Sequence, residues 1–112
     1  MSELLSTRDP DEEISSYTGG VIDGLANYGG LYVARDIPSL SDRDIRGLAS
    51  MPYYEQAAEV KRQFVTEDEI PHDDILRMMQ TAYNLERFPH TVDGVVTPLR
   101  KVANTDIYIL NL

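Results

Sequence analysis

Two histidines, two lysines and a pair of adjacent glycines are the residues of this chain whose types and spacing invite chemistry. His72 precedes Asp73-Asp74, and imidazole beside carboxylates is the raw material of a metal site or an acid–base pair. At a helix start, however, these side chains diverge into solvent, and no further histidine lies at ligand spacing. His90 follows a proline in a loop and has no serine or aspartate partner identifiable from spacing. Lys61 is expected on a polar helix face and Lys101 beside Arg100 near a hairpin turn. A Schiff-base lysine needs a desolvated pocket that lowers its pKa, and neither setting suggests one. Gly29-Gly30 lacks the G-x-G-x-x-G pattern and no helix signal follows it, which argues against a dinucleotide cradle; a Walker-type lysine loop is absent too. Taken alone, the chain carries no catalytic constellation.

The bulk numbers narrow the class. With 112 residues, 42% of them hydrophobic and 26% charged, the chain is long enough for one domain with a modest core. Nineteen acids against ten bases give a formal net charge of −9, which argues against a nucleic-acid or anionic-membrane surface. The absence of cysteine excludes disulfides, cysteine-ligated zinc and thiol catalysis. No apolar run approaches the ~20 residues of a membrane helix, and Met1-Ser2-Glu3-Leu4-Leu5 lacks the regions of a secretion signal. The expected location is the cytoplasm.

The elements that would position these residues follow from caps, periodicity and turns. Leu4 to Arg8 suits a short extended segment, and Asp9-Pro10-Asp11-Glu12-Glu13 an exposed acidic loop. Ser15 to Asn27 reads as a glycine-rich helix capped by Ser15, Ser16 or Thr18, with Val21, Ile22 and Leu25 on one face. Its glycines are expected where another backbone comes close. Gly29-Gly30 then suits a junction that needs positive φ or close approach, before the strand-type run Leu31-Tyr32-Val33. Ser41-Asp42-Arg43-Asp44 is a relative of the capping box, with Ile45 and Leu48 on the buried side. A third helix runs from Tyr53 to about Val65 with Ala57, Val60 and Phe64 as its apolar stripe. Thr66-Glu67-Asp68-Glu69 is a polar connector, and a fourth helix carries Ile75, Met78, Met79, Ala82 and Tyr83 at i, i+3, i+4, i+7, i+8 up to Phe88-Pro89. Met78-Met79 reads as core packing. Val95 to Arg100 and Ile107 to Leu110 form two strands around a turn at 103–106, the second apolar on both faces as in a larger sheet. The expectation is an α+β fold, mostly helical, with about four helices, a short N-terminal strand and a C-terminal β-hairpin.

Taken together these motifs form a pattern. The order Ser6-Thr7-Arg8, Gly24-Leu25-Ala26, Gly29-Gly30-Leu31-Tyr32-Val33 and Ile37-Pro38 resembles the N-terminal region of threonine synthase. The likeness continues through Leu40-Ser41, Tyr54, Ala57-Ala58, Phe64, Ile70-Pro71, Ala82-Tyr83 and Pro98-Leu99, almost the whole chain in collinear order. Tyr28 and Ala34 stand where the family usually has aspartate and proline, and Pro89-His90 where it has His-Pro.

Threonine synthases are fold-type II enzymes that use pyridoxal phosphate to convert O-phospho-L-homoserine and water into L-threonine and phosphate. The resemblance implies one domain, 1–112, that is the N-terminal part of such an enzyme, ending before the Phe-Lys-Asp segment whose lysine binds the cofactor. It implies no catalytic, cofactor-binding or metal residue in this chain, pyridoxal phosphate in the parent, and the parent's catalytic domains as partner. The piece would shape or close the active site and be inactive alone. Ser6, Thr7, Arg8, Gly29 and Gly30 are the candidates for facing those domains, with Arg8 suited to a phosphate or an interdomain acid, or equally to a surface salt bridge with Asp9 or its neighbours. The rival reading is a free-standing helical interaction module without catalysis. As a piece of the larger enzyme, the chain is expected to self-associate or to show an apolar patch around Ile107 to Leu112.

Overall fold

A computed structural model describes residues 2–89, 91 and 95–111; His90 lies outside the described residues, so the reading of it above has no structural counterpart. The chain forms β1 (Glu3–Ser6), β2 (Ser15–Ser16), α1 (Tyr17–Asp23), β3 (Tyr32–Ala34), α2 (Asp42–Leu48), α3 (Tyr53–Arg62), α4 (His72–Ala82), β4 (Leu99–Lys101) and β5 (Tyr108–Leu110). This is the expected α+β mix of four helices and small antiparallel sheets. β1 is the centre of a sheet in the order β2-β1-β3, with Leu4 opposite Ser15 on one side and Ala34 on the other, and Ser6 opposite Tyr32. β4 and β5 form a separate hairpin.

Local chemistry explains most boundaries. The Asp9 carboxylate accepts from the Asp11 and Glu13 amides at 2.9 and 3.2 Å, which folds the acidic loop between β1 and β2. Ser16 caps α1 by accepting from Gly19 N–H at 3.0 Å, and Gly24 ends it at φ +75°. The helix is therefore seven residues long and shorter than the 15–27 span expected, because Ser15 and Ser16 are spent on β2 and Gly24 closes the far end. The capping box at Ser41 and Asp44 forms in full, and these bonds hold the Asp44 carboxyl below the usual aspartate range. α3 stops at Arg62, so Val65 is packed from outside the helix. α4 stops at Ala82, before Phe88-Pro89: Asn84 turns the chain by accepting from the Glu86 and Arg87 amides, and Phe88 reaches back to Tyr83.

The core is small and lies between α3, the following loop and α4. Ala58, Val65 and Ile75 are buried, with Tyr17, Phe64, Ile70, Leu76 and Met79 packed against them. Several expectations about faces are corrected. Val21 and Ile22 on α1 and Leu25, beyond its end, are exposed, at 66%, 83% and 68%. Ile45 and Val60 also face outward; α2 is held instead by Gln56, whose amide donates to the Leu48 and Met51 carbonyls at 3.0 and 2.9 Å. Of the two methionines, Met79 packs on the core while Met78 is half exposed. Lys61 does not lie on a purely polar face: its ammonium sits over the Tyr17 ring at 5.2 Å.

The two halves are joined through Glu69. Its carboxylate accepts from Ser2 N–H at 2.6 Å and from Thr18 N–H and Oγ1 at 3.3 Å each, tying β1 and the start of α1 to the connector between α3 and α4. Thr66 N–H adds a bond to Ser2 Oγ at 2.9 Å. Burial alone would push the Glu69 carboxyl up, yet the bonds from Ser2 and Thr18 outweigh it and hold the group below the ordinary glutamate value of 4.5. A lowered folded-state pKa means that the stabilisation is complete above that value and is lost as pH falls through the folded-state one. Glu69→Gln is therefore expected to lower the melting temperature at neutral pH by about 4 °C, the equivalent of about 1 kcal/mol for a solvent-screened charged clasp. In circular dichroism melts the two proteins should converge below pH 4.5; an unchanged gap would refute the clasp. Ile75→Ala should cost about 2–5 kcal/mol in urea unfolding, whereas exposed Val60→Ala should cost far less.

Candidate functional site

The five residues singled out in the sequence meet at one junction. Asn27 to Gly30 form a tight turn in which Gly30 N–H donates to the Asn27 carbonyl at 3.1 Å. Both central residues have positive φ, Tyr28 at 59° and Gly29 at 70°, which is the type I′ pattern. Gly29 suits it; Tyr28 holds a left-handed conformation that tyrosine rarely adopts. The turn reverses the chain into β3, and β3 runs back beside β1, which brings Ser6, Thr7 and Arg8 against the turn.

Hydroxyls then stitch the two segments together. Ser6 Oγ donates to the Asn27 carbonyl at 2.9 Å and accepts from Arg8 N–H at 3.3 Å. Thr7 N–H donates to the Leu31 carbonyl and Thr7 Oγ1 accepts from Leu31 N–H, both at 3.0 Å. Gly30 is buried, and a Cβ there would collide with Ser6 Oγ while lying 3.1 Å from Arg8 N and 3.2 Å from Thr7 Oγ1. Gly29 is needed for its φ and Gly30 for close approach, so the two reasons offered by the sequence apply to one residue each. The glycines of α1 differ from expectation: Gly20 makes room for the Leu4 and Tyr32 side chains rather than for a backbone.

Arg8 is what the junction presents outward. Its guanidinium lies across Gly29, is solvent-exposed, and makes no ion pair among the described residues. The salt bridge with Asp9 does not form, because the Asp9 carboxylate is turned to the amides of its own loop. Elsewhere Arg35 pairs with Glu3, Arg62 with Glu59 and Arg77 with Asp74. Beyond the turn the surface is apolar: Leu25, Tyr28 and Leu31 are exposed, and a groove of about 370 Å³ is lined by Val21, Ile22, Val65, Ile75 and Met78.

The other chemical candidates are not gathered into a site. His72 Nδ1 faces Glu67 at 3.2 Å, and no cluster of three metal-ligating side chains occurs among the described residues. Lys101 lies over the Tyr108 ring at 5.8 Å on the exposed hairpin. Asn27, Tyr28 and Glu69 are the positions that sequence reasoning missed. Asn27 and Tyr28 adjoin the two glycines, and an Asn at the start of such a turn was a readable signal. Glu69 had none, since its partners lie 67 and 51 positions away.

Known proteins share this fold. The family model described as "Threonine synthase N terminus" matches residues 3–83. Threonine synthase of Schizosaccharomyces pombe is 32% identical over 100 residues, which span 89% of this chain and 18% of that protein. The crystal structure of threonine synthase from yeast superposes with a TM-score of 0.75 at 25% identity, covering 97% of this chain and 21% of the other. A pyridoxal-phosphate-bound threonine synthase from Brucella melitensis gives 0.73 at 30% identity, covering 98% and 22%. The chain thus spans about a fifth of the length of the relatives it matches.

The junction can be tested by itself. Gly30→Ala is expected to destabilise the chain by about 1–3 kcal/mol through overpacking. Adding Ser6→Ala should recover part of that loss in a double-mutant cycle, because Ser6 Oγ is the nearest obstacle. Strict additivity of the two substitutions in urea unfolding would show that the close approach is not what Gly30 provides.

Proposed function

The chain belongs to the threonine synthase N-terminus family, and from that membership we propose that it serves as the N-terminal domain of a cytoplasmic threonine synthase, a lyase of threonine biosynthesis. The whole protein would convert O-phospho-L-homoserine and water into L-threonine and phosphate, with pyridoxal phosphate as cofactor. This domain packs against the catalytic domains, shapes or closes their active site and is inactive alone.

The residues present here do not fit the cofactor. Lys61 is engaged with Tyr17 beside an apolar groove, and Lys101 stands on an exposed hairpin. The space beside Gly30 in which a phosphate would have to sit is filled by the Ser6 and Thr7 side chains. No chemical step is therefore assigned to this chain, and covalent cofactor chemistry belongs to the parent's other domains.

The observation that carries the reading is the form of the junction. Ser6 and Thr7 spend their groups on Asn27, Leu31 and the Arg8 amide, Gly29 and Gly30 supply the turn they bond to, and the product is a mount that holds one arginine outward with no acid paired to it among the described residues. A planar guanidinium fork suits a phosphate or a carboxylate presented by the catalytic side. The rival of a free-standing interaction module shares the uncovered apolar faces but gives the mounted arginine no task.

The test is release of inorganic phosphate from O-phospho-L-homoserine in the presence of pyridoxal phosphate. The chain alone should release none and form no borohydride-trapped adduct on Lys61 or Lys101; a stoichiometric adduct would refute the reading. In the whole protein, Arg8→Ala should lower kcat/KM by about tenfold to a hundredfold, the scale of one lost charge-assisted contact. Arg8→Lys should recover only part of it.

A further inference from the structure

One cation of the helical half is drawn against an apolar groove with no acid to meet it. Every residue that shapes this groove lies between positions 17 and 79, on α1, α3, α4 and the connector before α4. Its floor is the packed core, where Val65 and Ile75 are buried, and its walls are the exposed Val21 and Ile22 of α1 and Met78 of α4. At about 370 Å³ it is at the small end of ligand pockets, which run from about 300 to 1,000 Å³. Thr18 also lines it, but the Thr18 N–H and Oγ1 are spent on the Glu69 carboxylate, which holds Ser2 N–H as well. Lys61 is not spent in this way. It is half-buried, lies over the Tyr17 ring and makes no ion pair among the described residues, while Arg62 beside it pairs with Glu59. A ring face leaves the three N–H donors of an ammonium without an acceptor, which a carboxylate supplies.

We propose that this groove is a binding site for a small amphipathic monoanion: a carboxylate with a hydrocarbon tail, of the fatty-acid class. Lys61 takes the head, and the tail lies over Val65 and Ile75 between Ile22 and Met78. Charge complementarity selects this class against its neighbours. A zwitterion such as an apolar amino acid brings an ammonium too, and Glu69 is already committed to Ser2 and Thr18. A phosphate monoester brings up to two charges and several acceptor oxygens, where the groove offers a single lysine. An alcohol of the same length covers the floor but leaves Lys61 without an anion. The tail removes apolar surface of floor and walls from water together, and the unbranched Met78 adapts to its length. A net charge of −9 repels anions from the surface at large, so the attraction is local to Lys61 and the affinity is modest. The inference stands apart from the synthase reading.

Titration of the chain with octanoate, followed through side-chain resonances by nuclear magnetic resonance, tests it. One octanoate per chain should saturate the site with a Kd on the order of 1 mM or below, the scale open to so few non-hydrogen atoms. The shifts should centre on Val21, Ile22, Ile75, Met78 and Lys61. Octanol and octylamine carry the same tail and should bind at least about tenfold more weakly, the scale of one charge-assisted contact. Lys61→Met keeps an apolar stem and should lose a similar factor, whereas Lys61→Arg should bind nearly as the unaltered chain does. Ile22→Asp sets an anion on the wall and should weaken binding; Ile37→Asp, at an equally exposed apolar residue elsewhere, should not. The proposal is overturned by a lack of saturable binding, by octanol binding as tightly as octanoate, or by an unchanged constant in Lys61→Met. Shifts centred outside the groove overturn it too, as do groove resonances that move with chain concentration before octanoate is added, the sign of a second copy in its place.

Discussion

The structure depends on one carboxylate. Glu69 holds the amide of Ser2 and the amide and hydroxyl of Thr18, and together with the Thr66–Ser2 bond it links the sheet half to the helical half. Apolar packing across the same divide is thin: Tyr17 is the residue of α1 that reaches the buried cluster of Ala58, Val65 and Ile75. With so little buried area between the halves, orientation falls to a directional interaction. Three hydrogen bonds to one charged group fix it better than a few nonpolar contacts can.

Within each half a different constraint dominates. The helices meet because a small residue, Ala58, lets α4 approach α3, and Arg62 then spans the gap by pairing with Glu59 and donating to the His72 carbonyl at 3.0 Å. The sheet half is governed by absence of side chains. Gly20 admits Leu4 and Tyr32, and Gly30 admits Ser6. These vacancies let β1 lie in the middle of a three-stranded sheet with strands only two to four residues long. Short strands gain little from ladder bonds, so the hydroxyls of Ser6 and Thr7 contribute the extra bonds that hold the seam.

The radius of gyration, 16.6 Å, exceeds the roughly 13 Å of a compact chain of this length. The outer side of α1, the residues around the type I′ turn and the β4–β5 hairpin present large apolar side chains to solvent. A −9 surface and several uncovered apolar faces belong to one molecule because its polar residues are concentrated on other sides of the same short elements. The groups that could react are engaged elsewhere: His72 with Glu67, Lys61 with Tyr17, and the junction hydroxyls with the main chain.

What the sequence alone determined were features built from residues a few positions apart. The Ser41 capping box, the period of α4, the need for glycine at 29 and 30, the hairpin turn at 103–106 and the family pattern were all legible, because caps, turns and periodicity act between near neighbours. What only the tertiary structure decided was which faces are covered and which polar groups are spent. Val21, Ile22 and Ile45 carry a helical apolar pattern yet face solvent, since burial requires a partner and the pattern does not specify one. Glu69 looked like part of a solvated connector and became the clasp, since its partners come from the far end of the chain. The junction shows both halves of the lesson. Its glycines could be read from their type, whereas the freedom of the Arg8 guanidinium followed only when the fold turned Asp9 toward its own loop.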